Sequence, residues 1–367
     1  MPLQEKLADL KCSIHLSEYT SIGLGGDAKY FISCATIDEI RSAFQFAESE
    51  KLAVQILGGG SNIVFPDDGF DGLIVKIDLK GIKREDDGDH AEVSANAGEV
   101  WDDLVKSCVR KNLAGAECLS GIPGSVGATP IQNVGAYGQE VKDTILAVKA
   151  IERKSLELVE FTSAECEFGY RKSRFKTNDK NKFVIVEVRY RFSKSGKPSV
   201  KYEELRDYIE SKEKETGGRK PKDGETSLEN VREAVLALRR KKSMVIDPND
   251  PNSRSVGSFF VNPILTDVDY GNFMEKLNFN RIKRAPSYKS ANGIKISAAW
   301  LIENSGFNKG YKRDGVGISS NHALALVNYS GTANELLSLA SDIEKCVQEK
   351  FGIKLEREAV MVQRISS

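Results

Sequence analysis

The chain has 367 residues, 40% of them apolar, and carries 53 basic against 53 acidic residues. That balance leaves no electrostatic footprint for nucleic acid or for an acidic membrane, so an anionic ligand has to be caught locally. The length allows two or three domains with real cores, and no apolar run approaches the ~20 residues that span a bilayer. Six cysteines lie scattered without a CxxC pair, and the start MPLQEKLADLKC is too polar for a secretory signal, which predicts a cytoplasmic protein. The three histidines, His15, His90 and His322, stand apart from other ligand types, so no metal site is predicted.

In chain order, Tyr19 to Phe31 (YTSIGLGGDAKYF) is a glycine-bearing turn into a short strand. A helix follows over about 37–50, with Ile40, Phe44 and Ala47 on one face. The apolar strand Ala53 to Leu57 runs straight into Gly58, Gly59, Gly60, Ser61 and Asn62. A strand ending in glycines invites the dinucleotide fingerprint, but that motif needs a helix to begin at once. Here the continuation, Ile63-Val64-Phe65-Pro66, is strand-like and stopped by proline. What remains is a nest of consecutive backbone N–H groups, a way to hold a diphosphate without a helix dipole.

Strands are predicted at Gly72 to Leu79 and Ala91 to Ala95, and an amphipathic helix at Glu99 to Asn112 with Val100, Leu104, Val105, Cys108 and Val109 inward. The stretch ECLSGIPGSVGATPIQNVGAYG, from Glu117 to Gly138, is bare of charge after its first residue and rich in glycine. Repeated glycines beside Ser125, Thr129, Gln132 and Asn133 read as backbone wrapped closely round a large, partly polar ligand. Strands then follow at about 145–152 and 157–161. In Lys182 to Phe192 strict alternation puts Val184, Val186, Val188, Tyr190 and Phe192 on one face.

Ser211 to Ser227 is charged and broken by glycine and proline, and is expected to be an exposed connection. Thr226 with Glu229 predicts a capping box for a helix to about Lys242. Beyond the loop Asp247 to Gly257 come SFFVNP at Ser258 to Pro263, a helix near 296–304 and a strand His322 to Asn328. The helix Thr332 to Phe351 ends at Gly352 as its C-terminal cap, and a last strand, Lys354 to Met361, closes the chain.

The motifs TSIGLGGDAKYF, LGGGSNIVF, SGIPGSVGATPIQNVGAYG, CEFGYRKSRF, GSFFVNP, AAWLIENSGFNKGY and LEREAVMV stand here in a specific order. In that order the chain resembles the UDP-N-acetylenolpyruvylglucosamine reductases, FAD enzymes of bacterial peptidoglycan precursor synthesis. The resemblance implies an α+β protein: an FAD-binding part of the vanillyl-alcohol-oxidase type over 1–195, itself in two pieces (1–75 and 76–195), and a substrate-binding part over 196–367. KPSVKYEEL, which holds Tyr202, is similar to the loop that closes over substrate in the type with the longer insertion.

The activity implied is reduction of the enolpyruvyl group of a UDP-sugar, a small-molecule partner, with NADPH as hydride source by way of FAD in a monomeric enzyme. Hydride arrival next to the carboxylate-bearing carbon leaves a carbanion conjugated with the carboxylate, which needs fixed donors and a proton source. By resemblance Arg171 supplies the planar fork, Glu358 assists stabilisation or proton handling, and Ser258 donates the proton. Taken without the motif, Arg171 sits in a basic run with Lys172, Arg174 and Lys176 and reads as a surface charge. Ala359 stands where the family pattern has valine, a small change in a strand.

For FAD the resemblance points to Gly58, Gly59, Gly60, Ser61 and Asn62, and to Gly121, Ile122, Pro123, Gly124, Ser125, Gly127, Gln132, Asn133, Gly135, Ala136 and Tyr137. For substrate it points to Tyr170, Tyr202, Lys242, Asn262, Tyr288 and Lys295. Lys242 also reads simply as a cation at a helix end. A flavin-dependent alcohol oxidase would share the FAD loops without needing the serine and glutamate. A non-catalytic flavin or nucleotide-sugar sensor would tolerate losing Ser258, Arg171 or Glu358, and all three are present.

Overall fold

The computed structural model describes residues 7, 9–215, 226–282, 285–290 and 292–363. The described chain divides into two compact units. One takes the chain up to Ile14, Ala28–Gly59 and Asp71–Val245; the other takes His15–Asp27, Gly60–Phe70 and the chain from Ile246 on.

In the first unit, a four-stranded sheet has the order Lys11–His15, Asp27–Cys34, Phe70–Ile77, Ala53–Leu57, its last pair parallel. Helix α1, Ile37–Ser49, is started by a capping box in which Thr36 accepts from the Glu39 N–H and Glu39 returns to the Thr36 N–H. It buries Ile40, Ala43, Phe44 and Ala47, the stripe that the i, i+3, i+4, i+7 spacing predicts. A five-stranded antiparallel sheet runs Leu158–Thr162, Ile145–Glu152, Phe183–Ser193, His90–Asn96, Ile82–Asp87. Its central strand, Phe183–Ser193, buries the predicted Val184, Val186, Val188, Tyr190 and Phe192, and Ile185 as well. Helix α2, Trp101–Arg110, buries Trp101 completely, with the indole N–H donating to the Leu119 carbonyl at 3.2 Å.

Two sequence expectations change here. Residues 211–215 of the stretch read as an exposed connection are the last turn of helix α3, Glu203–Glu215, which Leu205 and Ile209, one turn apart, anchor against Cys118 and against Val231, Val235 and Leu238 of α4, Leu228–Lys241. Residues 216–225 of that stretch lie outside the described residues. The cap of α4 is Ser227, whose hydroxyl accepts from the Asn230 N–H at 3.1 Å, so the start falls one residue later than the Thr226 and Glu229 pair predicts. Adjacent hydroxyls offer two caps, and the one whose third following residue presents its N–H is used. Both α3 and α4, grouped with the substrate part in the sequence reading, make their contacts within the first unit.

In the second unit, α5 (Asp267–Phe279), α6 (Ala298–Asn304) and α7 (Ala333–Phe351) enclose a core with two three-stranded sheets. One sheet orders Ile264–Leu265, Gly293–Ile296, Ser287–Ser290 and the other Lys312–Arg313, Val316–Ile318, Leu326–Asn328. The α7 cap is Gly352 at φ 72, as predicted. Regular pairing at the C-terminus is confined to Val360–Met361, parallel to Ile63–Val64. Upstream, the predicted strand continues only as an isolated bridge of Arg357 with Phe260. Among the described residues no helix is long and apolar enough to cross a membrane.

Candidate functional site

In the first unit the glycine runs lie against one another. A Cβ on Gly58 would come within 2.6 Å of Ser125 Oγ, one on Gly59 within 2.7 Å of the Gly124 Cα, and one on Gly127 within 2.6 Å of the Ala97 Cβ. Part of the bareness therefore answers to chain packing on chain. Gly121, Gly124 and Gly138 also take φ of 71, 111 and 84, and Asn133 and Tyr137 take 46 and 48, conformations that L side chains other than asparagine rarely accept. Gly121 is fixed through its N–H, which donates to Asp102 Oδ1 at 2.6 Å. Asp102 receives a fork from Arg232, 2.7 Å on each oxygen. Burial opposes ionisation of Asp102, but the Arg232 fork and the Gly121 N–H outweigh it and hold the carboxyl below its usual value.

Arg239, one helical repeat beyond Arg232 on α4, is 8% exposed and donates from Nη2 to the Met244 carbonyl at 2.7 Å. Its Nε is buried with no acceptor, 3.5 Å from where a Cβ on Gly121 would lie. A buried donor left over beside a bare glycine fits a bound group that carries acceptors, as FAD does. The residues present thus fit the cofactor. The two arginines sit within the apolar stripe of α4 among Leu228, Val231, Val235 and Leu238, and that position in the helical period is the signal that could have found them.

Arg171 is not the surface charge that its basic neighbours suggest. It stands in a four-residue turn closed by Gly169 N–H to the Lys172 carbonyl (2.9 Å) and Lys172 N–H to the Gly169 carbonyl (3.2 Å), and is itself at φ 52. Its Nη2 donates to the Gly135 carbonyl at 2.7 Å, and Asn133 Nδ2 donates to the Gly169 carbonyl at 2.9 Å. Two side chains separated by 36 residues from their partners thereby tie the arginine turn to the glycine segment. A non-glycine residue held at positive φ costs on the order of 1–3 kcal/mol and persists where surroundings over-determine it. Tyr170 lies under the Arg171 guanidinium at 5.5 Å.

Tyr137, Tyr202 and Lys242 also come together in this unit. The tyrosine rings meet edge to face at 5.5 Å, and Lys242 Nζ lies 5.8 Å from the Tyr137 ring and 2.6 Å from Glu204 Oε2. Burial pushes the Tyr137 phenol up to about 12, so it is a neutral donor across the physiological range. The Glu204 partner was not foreseen from sequence.

In the second unit, Gly60 takes φ 66 and a Cβ there would overlap the Tyr19 carbonyl. The Val360 N–H donates to the Asn62 carbonyl at 3.0 Å, and Asn62 Nδ2 reaches the Glu358 carbonyl at 3.3 Å. The Glu358 N–H donates to the Phe259 carbonyl at 2.8 Å and the Val261 N–H to the Glu356 carbonyl at 2.9 Å. Ser258 and Glu358 thus sit on adjoining segments joined by the isolated Phe260–Arg357 bridge, with Asn62 beside the glutamate. Tyr288 and Lys295 are direct cross-strand partners, which puts both on one face, and Lys295 is paired in turn with Ile264. Asn262 Oδ1 accepts from the Ala298 N–H at 2.8 Å in the first turn of α6, whose cap is Ser297.

A family profile for an FAD binding domain matches residues 28–159. A second, for the C-terminal domain of UDP-N-acetylenolpyruvoylglucosamine reductase, matches 248–362. The reductase of that name from Thermobifida fusca is 41% identical over 95% of this chain and 97% of its own length. Its counterpart from Streptomyces avermitilis is 43% identical over 95% and 93%, and that from Flavobacterium johnsoniae 38% over 96% and 100%. Among solved structures, the Thermus caldophilus reductase superposes with a TM-score of 0.63 over 96% of this chain and 99% of its own, at 22% identity, a likeness of fold. The α+β class and the FAD cofactor are those expected, and the chain belongs to the UDP-N-acetylenolpyruvoylglucosamine reductase family.

Proposed function

We propose that this member of the family takes NADPH as its reductant and works as a cytoplasmic monomer on the path to UDP-N-acetylmuramate. FAD, when bound, supplies hydride transfer to the enolpyruvyl carbon. On this reading the backbone N–H groups of Gly58 to Asn62 take the diphosphate, since no Lys or Arg lies in that run, and the stretch from Gly121 to Tyr137 takes the isoalloxazine. FAD is noncovalent, so acid precipitation should release all of the yellow colour, and colour retained in the pellet would reverse that assignment.

Arg171 meets the substrate carboxylate. Its charge is worth more as that carboxylate gains the second negative charge of an enolate than it is before hydride arrives. Ser258 delivers the proton to the adjacent carbon; a serine is a poor acid in water and can serve only because a carbanion is strongly basic. Glu358 assists stabilisation or proton handling. Lys242, Lys295, Tyr170, Tyr202, Asn262 and Tyr288 hold the UDP-sugar, the two lysines as point charges at phosphates.

The observation that carries the reading is the Glu358 N–H bond to the Phe259 carbonyl, which joins the segment of the proposed carboxylate to that of the proposed proton donor. The test is anaerobic absorption spectroscopy of the purified protein. NADPH should bleach the flavin band, and the enolpyruvyl UDP-sugar should restore it. Restoration by oxygen and an alcohol cycle would favour an oxidase, and no bleaching at all a sensor.

A further inference from the structure

Glu117 is 1% exposed, and its carboxylate is met by neutral donors. Its Oε2 accepts from the Gly115 N–H at 2.7 Å, and its Oε1 from Gln139 Nε2 at 2.7 Å and from the Ser199 N–H at 3.1 Å. Gln139 is buried too, and its Oε1 accepts from the Cys118 N–H at 2.8 Å. A buried carboxylate demands such partners, and bonds to an ionised acceptor are the strong ones. The informative partner is Ser199, which lies 82 residues away and belongs to no strand or helix.

Ser199 opens a short strap. Three residues on stands Tyr202, 47% exposed and set against the Tyr137 ring; α3 begins at the next residue, and its Leu205 is buried in the small core that Cys118 shares with α4. The strap is therefore pinned at both ends against one turn, Glu117–Leu119. The downstream pin is apolar packing and the upstream pin is the Glu117 carboxylate. Between the pins, Tyr202 has only Ser199 to Leu205 in which to move.

We infer that Glu117 is a positioning residue for substrate binding, acting through the Ser199 strap to fix where Tyr202 stands. This rests on the proposed role of Tyr202 at the UDP-sugar. Charge, not shape alone, makes the pin: Glu117→Gln keeps the volume but turns two of the acceptor positions into neutral or donor ones. Loss of a hydrogen bond to a charged group should raise KM for the enolpyruvyl UDP-sugar by about tenfold to a hundredfold, with kcat within about twofold.

Three arms decide it in the FAD-loaded protein. Glu117→Gln should raise KM, and should do so far less in a Tyr202→Ala background, since the effect passes through that side chain. Trypsin cleavage after Lys197 and Lys201 should accelerate several-fold without a matching fall in Tm. Ser199→Pro, which deletes the N–H on a half-buried strap and leaves the carboxylate alone, should reproduce both effects if Glu117→Gln folds poorly. An undiminished KM effect in the Tyr202→Ala background, or unchanged cleavage in both variants, overturns the inference. A wild-type enzyme that ignores the enolpyruvyl UDP-sugar would sink the functional reading instead, and the cleavage arm would still judge Glu117.

Discussion

The two sets of candidate site residues are held by different physics. In the first unit, the segment from Glu117 to Tyr137 and the Arg171 turn are positioned by side chains: Asp102 on Gly121, Asn133 on Gly169, Arg171 on Gly135, Glu117 on Ser199. In the second, the Ser258 and Glu358 segments are positioned by main chain: Glu358 on Phe259, Val261 on Glu356, Val360 on Asn62, Val362 on Val64. Main-chain bonds survive replacement of the side chains they carry; side-chain bonds do not. The second region should therefore separate function from stability cleanly, and the first should not.

The largest effect is expected at Ser258. Ser258→Ala leaves the main-chain bonds of its segment in place, so the unfolding free energy should shift by no more than a surface substitution does, within about 0.5 kcal/mol. If Ser258 is the proton donor proposed above, its loss should slow reoxidation of the flavin by substrate by on the order of 10²–10⁴, while reduction by the proposed NADPH, which needs no proton from serine, stays near wild type. Stopped-flow measurement of the two half-reactions checks this; an equal fall in both would make Ser258 structural.

Arg171→Ala comes next. Removing one preorganised donor should cost at least ~10²–10³ in the reoxidation step, roughly 3–4 kcal/mol of barrier. Here the comparison bites, because the same guanidinium also bonds the Gly135 carbonyl, so some loss of FAD affinity or of Tm should accompany the loss of rate. Lysine should rescue only in part, lacking the bidentate fork. Weakened substrate binding at an unchanged single-turnover rate would make Arg171 a binding residue only.

Gly60→Ala should cost the second unit stability, beside any effect on the diphosphate proposed to lie at this run. The residue is at φ 66 and an added Cβ overlaps the Tyr19 carbonyl, so at least ~1–3 kcal/mol of strain is expected, read as a lowered urea midpoint. If the variant keeps its midpoint, main-chain packing at the end of the glycine run is looser than the bonds suggest.

How far all this was legible from sequence follows the same division. Local pattern located Ala53–Leu57 and Ile145–Glu152 to the residue and found α1, because period, caps and apolar runs are written into neighbouring positions. It missed α3, whose two buried residues, Leu205 and Ile209, are outnumbered by charge. The motif order named Arg171, Ser258 and Glu358, yet nothing local in a sequence encodes that Arg171 reaches back 36 residues to Gly135, or that Asp102 meets Arg232 across 130. Glycine-rich runs announce that something approaches closely. They do not announce whether it is a ligand or, as for Gly59 and Gly124, another stretch of the same chain.

The smallest effect is the sharpest test of the contrast, because it needs no mutation. The Arg232 fork and the Gly121 N–H hold the Asp102 carboxyl below the usual aspartate value of 3.8 in the folded protein, so it binds its proton less readily folded than unfolded. The stability it contributes is therefore fully present above 3.8 and is lost as pH falls through the lower folded value. Protonation removes the ionised acceptor from both the Arg232 fork and the Gly121 N–H. The Glu358 N–H, bonded to a carbonyl, has no titrating acceptor. Site-resolved amide exchange, expressed as protection factors to cancel the intrinsic pH dependence, should show Gly121 losing protection below 3.8 while Glu358 holds, with a slope of at most about tenfold per pH unit, the limit for one proton. Equal loss at both amides would mean that acid opens the chain globally and that the distinction between a region held by side chains and one held by main chain has no energetic content.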